Sequence, residues 1–320
     1  MKWSLVISVS VCTALVTASA TAELLQEGLF RVEYPKGEER LAATTLKNLE
    51  DVITTWRERL DAGTKPIMVH ICASPGEFAS LAGFSPPSEV GGVAHSEDGI
   101  IVLRTPEQLA NPKYYKGVVR HELVHVLLAR NTDLAHLPRW LNEGIAMHIS
   151  GEYRWNSTFH VARMYLAERL FSYDELMAQF NLSQRERPFG DLYAQSLSMT
   201  AYLYDRLGED AFWEMIYALR EHDFPEALDD VAEMTPGELW DAWHRSLWKV
   251  AVIMTVVSGF GVFHVMALLV IVAYMRKRRR NRALLQRWDR EEAEDEGFMT
   301  VWDLERDSEY PWERDDEGQV

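Results

Sequence analysis

Residues 29–34 alternate apolar and polar side chains with period two, which predicts a strand; Pro35 and Gly37 then end it. Over 38–60, Leu41, Leu46, Leu49, Ile53, Trp56 and Leu60 recur near the 3.6-residue period of a helix with one buried face. Residues 66–71 read as a second short strand and 99–103 as a third, with Gly91 and Gly92 opening a turn region between them. A helix is expected over 116–129. Another starts at Pro138, a residue suited to the first helical position, and ends near Gly151. From Asp191 onward the pattern is helical. The last of these helices opens with Thr235-Pro236-Gly237-Glu238, in which threonine and glutamate can cap each other's free backbone N–H groups. Strands come first and helices after, so the expected fold class is α+β, with a small N-terminal sheet and a helical C-terminal half.

Two long apolar runs bracket this pattern. Met1 and Lys2 precede an apolar stretch at 3–16, and small residues follow at 17–22. That is the arrangement of a secretory signal peptide, with cleavage after Ala20 or Ala22. An uncleaved anchor helix is the alternative, but the apolar part is shorter than the ~20 residues that span a bilayer. The second run, 250–275, holds no formal charge and is followed at once by the basic segment 276–282. Such a run is expected to be a single transmembrane helix, with its basic flank in the cytoplasm. The expected organisation is therefore signal peptide 1–22, extracytoplasmic domain 23–249, membrane helix 250–275 and cytoplasmic segment 276–320. The outer domain would face the periplasm or exterior, close to the bilayer.

Composition changes this picture little. With 320 residues, 47% hydrophobic and 26% charged, the chain is of ordinary globular make-up. The net charge of −16 argues against nucleic-acid binding through a basic surface. Much of the acid is local: residues 289–317 carry 14 acidic residues against Arg290, Arg306 and Arg314, with Trp288, Trp302 and Trp312 between them. This segment is expected to be a disordered tail, either simply solvated or a docking segment for a basic cytoplasmic partner. Only Cys12 and Cys72 occur, too few for a disulfide framework or a cysteine-rich metal site.

The chemistry is concentrated in His121-Glu122-Leu123-Val124-His125. Histidines at i and i+4 lie on one helical face, so both imidazoles can reach one metal ion. Glu122 sits beside them, where it can act on a water. The flanking Leu and Val residues make this helix a buried one. The motif alone is only moderately specific, because two core histidines bonded to backbone would share its spacing. Glu143 follows on the next helix, in Trp140-Leu141-Asn142-Glu143-Gly144-Ile145-Ala146. Two helices joined by a short loop would return it to the histidine face. A carboxylate among Trp, Leu and Ile is costly to bury unless paired or metal-bound. Two histidines and one glutamate leave a coordination position open for water, as in catalytic zinc sites.

With both halves present, the sequence resembles the gluzincin metallopeptidases, specifically the peptidase-MA-like domains of bacterial envelope proteins. The resemblance covers roughly residues 28–248. It implies a zincin-like catalytic domain, Zn²⁺ held by His121, His125 and Glu143, and Glu122 as the catalytic base. It also implies a peptide or protein substrate, laid in extended form along the strand at 99–103 as the sheet edge. Tyr193 is the candidate donor to the oxyanion, with Tyr202 and His160 as rivals. His95, His136 and His148 are off the spacing and are expected to be surface or loop histidines. One departure stands out: several gluzincins carry an acidic residue one turn after the ligand glutamate, and Met147 is there instead. A backbone carbonyl or Glu152 would have to orient the first histidine. A catalytically inactive peptide-binding domain, and an assembly or signalling anchor acting through the acidic tail, are the alternatives to a peptidase.

Overall fold

The computed structural model describes residues 22–87, 90–151, 154–180, 189–257 and 259–309; at 154–156, 189, 256–257, 259–262, 289 and 293–309 only the backbone is described. The expected signal segment at 1–21, Glu152 and the end of the tail lie outside the described residues.

Five strands form one sheet: β1 (Ala22–Glu27), β2 (Phe30–Pro35), β3 (Ile67–Cys72), β4 (Gly92–His95) and β5 (Ile100–Arg104), in the order β1-β2-β3-β5-β4. The outer pairs β1/β2 and β4/β5 are antiparallel; β2/β3 and β3/β5 are parallel. Period-two alternation sends Phe30, Val32, Ile67, Val69, Ile101 and Leu103 into the main core. On the opposite face Cys72 and Val102 pack with Phe78 of α2 (Pro75–Ala82). Burial pushes the Cys72 thiol up to about 12, with Glu77 adding to the shift and Arg104 opposing it, so the thiol is neutral and is no nucleophile.

Two expectations change here. The turn region at Gly91-Gly92 opens a short strand, β4, and β4 rather than the 99–103 strand is the sheet edge, because β5 is paired on both sides. The first strand, β1, has a weak pattern of its own and owes its extended form to pairing with β2.

The main core lies between the sheet and the helices α1 (Glu39–Trp56), α3 (Tyr115–Asn131) and α4 (Arg139–Ser150), and continues into α5 (Arg154–Leu166), α6 (Tyr173–Phe180), α7 (Phe189–Leu207), α8 (Glu209–Ala218), α9 (Phe224–Ala232) and α10 (Pro236–Val257). Trp140, Trp213 and Trp243 are among its largest fully buried side chains. Gly151, at a φ of 76°, ends α4 in the left-handed conformation that glycine adopts without strain. The expected cap of α10 is formed: Thr235 N and Oγ1 both donate to Glu238 Oε2, at 2.8 and 2.9 Å, and Glu238 N donates back to Thr235 Oγ1 at 3.3 Å.

The chain divides into two compact units, Met1–Ala251 and Val252–Val320. Helical backbone is described to Val257 in α10 and over α11 (Gly259–Glu309), with Ser258 outside the described residues. Among the described residues no helix is long and apolar enough to cross a membrane. α11 runs as helical backbone to Glu309, and within it Arg287 pairs with Glu291 one turn away at 2.9 Å.

Candidate metal centre

α3 is held on several sides. Val119, Leu123, Val126 and Leu127 are fully buried in the core, which fixes the helix and leaves the face bearing His121 and His125 toward a cleft. The turn from α3 to α4 is pinned from α8. Asp133 N donates to the Leu219 carbonyl at 3.1 Å, His136 Nδ1 meets the same oxygen at 3.2 Å, and Arg220 Nε donates to the Asn131 carbonyl at 2.6 Å. These bonds fix how α4 returns along α3.

The return brings Glu143 to the histidines. Its Oε2 lies 3.3 Å from His121 Nε2 and 3.5 Å from His125 Nε2, and the two Nε2 atoms are 3.1 Å apart. Burial alone pushes the Glu143 carboxyl upward, but the two histidines outweigh it and hold the carboxyl well below its ordinary range. Two imidazole nitrogens and one carboxylate oxygen facing a common point form a zinc-type donor set. Among the described residues this is the one cluster of three such groups close enough to hold a metal ion. The residues present fit a zinc ion.

Asn142, one residue before Glu143, supplies an orienting bond that sequence reasoning missed. His125 Nδ1 donates to Asn142 Oδ1 at 2.7 Å, which keeps the proton on Nδ1 and leaves the Nε2 lone pair for a metal. Met147, where several gluzincins have an acid, is buried and lines the cleft without offering a carboxylate.

Glycine is required at two places. Gly144 lies where α4 meets α7: a Cβ there would fall 2.8 Å from the Ser196 carbonyl oxygen and 2.8 Å from Thr200 Cβ. Gly92, at the start of the edge strand, leaves room for Glu122. A Cβ at position 92 would come within 2.6 Å of Glu122 Cγ and 2.9 Å of its Oε1. Glu122 is thus seated against the edge strand beside the histidines, buried to 8% exposure.

The cleft measures about 630 Å³. Its walls include the edge strand from Gly92 to Ala94, the α3 and α4 residues just described, and Tyr193 and His160. Tyr193 stands on α7 with its ring 6.1 Å from that of Phe180. His160 Nε2 meets Asp191 Oδ1 at 2.5 Å, and Asp191 also accepts from Arg169 at 3.1 Å. Tyr202, the other rival to Tyr193, is not in the cleft; its hydroxyl accepts from Arg206 at 3.4 Å. The histidines off the motif spacing are also elsewhere. His95 bonds the Leu81 carbonyl at 3.0 Å, His136 the Leu219 carbonyl, and His148 packs on the Tyr204 ring at 4.9 Å. A second depression, about 740 Å³, runs between β1 and α1 and contains none of these groups.

No curated protein matches the chain. A family model described as the peptidase MA superfamily matches residues 52–249, more than half of the chain and all of the cleft-forming helices. On that match, and with the His121–His125–Glu143 cluster in the expected arrangement, the chain belongs to the peptidase MA superfamily.

Proposed function

We propose that this protein is a membrane-anchored zinc peptidase whose cleft hydrolyses peptide bonds outside the cytoplasm. The observation that carries the reading is the convergence of His121 Nε2, His125 Nε2 and Glu143 Oε2 beside a buried Glu122. Membership in the peptidase MA superfamily supports a peptidase in general. Anchoring rests on the 250–275 apolar run and its basic flank.

His121, His125 and Glu143 would hold the zinc ion, which when bound supplies Lewis acidity for the attacking water and the scissile carbonyl. Glu122 takes the proton of the attacking water and returns it to the leaving amine. Tyr193 lines the same cleft and serves as hydrogen-bond donor to the oxyanion. The edge strand β4 is paired on one side by β5, so its other side offers backbone groups to an extended substrate across from the histidines.

Cleavage of a peptide library by the full chain in detergent tests this reading. Activity should vanish on chelation and return with zinc, and Glu122→Gln should lower it by about 10²–10⁴-fold. An active Glu122→Gln variant would refute the mechanism. Met147 favours a second reading, a peptide-binding domain without turnover, for which zinc retention with no cleavage would be the sign.

A further inference from the structure

α4 presents more than a ligand to the cleft. Arg139, Asn142 and Glu143 stand at i, i+3 and i+4, so they share one helical face, and all three line the cleft wall. Asn142 orients His125, and Glu143 belongs to the metal cluster. Arg139, the first residue of the helix, is exposed in the cleft. Among the described residues no carboxylate pairs with it. Its one recorded hydrogen bond runs from Nη1 to the Phe180 carbonyl at 3.1 Å, at the last residue of α6. That bond anchors the guanidinium against a helix C-terminus and leaves the rest of its planar fork of donors available. Phe180 in turn meets the Tyr193 ring edge to face, so Arg139 is tied to the wall that carries the proposed oxyanion donor. Near this wall, His160 and Arg169 both meet Asp191, at 2.5 and 3.1 Å.

We propose that Arg139 is a specificity-determining anchor for a substrate carboxylate. A guanidinium fork matches a carboxylate in geometry and charge, and among the described residues Arg139 has no acidic partner. One helical turn separates Arg139 from Glu143, about 6 Å along the axis. An extended chain rises about 3.3 Å per residue, so the carboxylate recognised lies within one or two residues of the bond aligned with the histidines. Two sources present this chemistry there: the C-terminal carboxylate of a peptide, or an Asp or Glu side chain next to the scissile bond. This inference rests on the cleft being a peptide site, as proposed above, but not on hydrolysis taking place in it.

The test is peptide binding to the full chain in detergent, carried out on the zinc-loaded Glu122→Gln variant so that turnover does not enter. The four probes are one peptide with a free or amidated C-terminus, each with Asp or Asn beside the scissile position. The carboxylate-bearing probes should bind about 10- to 100-fold more tightly than the fully neutral one, the range for a charge-assisted bidentate contact. Which pair shows the difference identifies the source. Adding Arg139→Gln should abolish that difference while leaving the neutral probe's affinity and the zinc content unchanged, and Arg139→Lys should restore part of it. Equal binding of all four probes, or an Arg139→Gln variant that weakens all four alike, would overturn the proposal and assign Arg139 to capping α6. A carboxylate-dependent affinity together with an inert Glu122-intact chain would support Arg139 and refute the peptidase reading, so the two failures are distinguishable.

Discussion

A metal site of two histidines and a carboxylate depends on where each imidazole keeps its proton. At His125 the bond between Nδ1 and Asn142 Oδ1 holds the ring with Nε2 aimed at the cluster, the orientation a metal ligand needs. Asn142→Leu keeps the volume and removes the acceptor. It should weaken zinc binding by about 10- to 100-fold, read by competition with a chelator, with the fold unchanged by circular dichroism. Parent-like zinc affinity would reduce Asn142 to a neighbour. The two histidines, Glu122 and Glu143 were legible in the sequence because spacing on one helix, and a carboxylate among apolar residues on the next, are local signals. Asn142 carried no such signal. Its role exists only because α4 approaches α3 at one particular height, set by the Leu219 and Arg220 contacts to the intervening turn. Arg139 was silent for the same reason: an arginine at a helix start is ordinary until it is seen lining the cleft.

Between elements, α4 packs closely against α7. Gly144 makes it possible, and it lies next to the ligand Glu143. Gly144→Ala forces these helices apart or displaces Thr200. The expected cost is about 1–3 kcal/mol of stability, the range for inserting a methyl into a packed core. Because the shift moves Glu143, zinc affinity should fall with it. Thermal unfolding with and without zinc checks both effects, and a variant as stable as the parent would show that the contact can relax. The elements that escaped sequence reading are those whose form depends on neighbours. β4 has four residues, begins with glycine, and is a strand because β5 lies beside it. β1 is half-exposed and is extended because β2 pairs with it. Missing β4 placed the sheet edge one strand too far in, on β5. The helix caps, by contrast, were readable at 235–238 because threonine and glutamate three residues apart satisfy each other without outside help.

At the scale of the whole molecule, an extracytoplasmic peptidase requires the cleft and the basic segment 276–282 to lie on opposite sides of a membrane. Apolar length and flanking charge supply that expectation, and both are properties of sequence rather than of packing. Protease added to intact spheroplasts should therefore digest the unit that carries the cleft and spare an epitope placed after residue 290. A protected cleft unit would invert the topology and remove the extracytoplasmic substrate with it. The central claim, however, is the third ligand. Without Glu143 two histidines remain, and they face the ion with no offsetting negative charge in a buried setting. The most direct measurement is zinc per chain after dialysis for the parent, Glu122→Gln and Glu143→Ala, each purified as the full chain. Stoichiometric zinc is expected in the first two and almost none in the third. Parent-level zinc in Glu143→Ala would contradict it and take the metal site apart at its carboxylate.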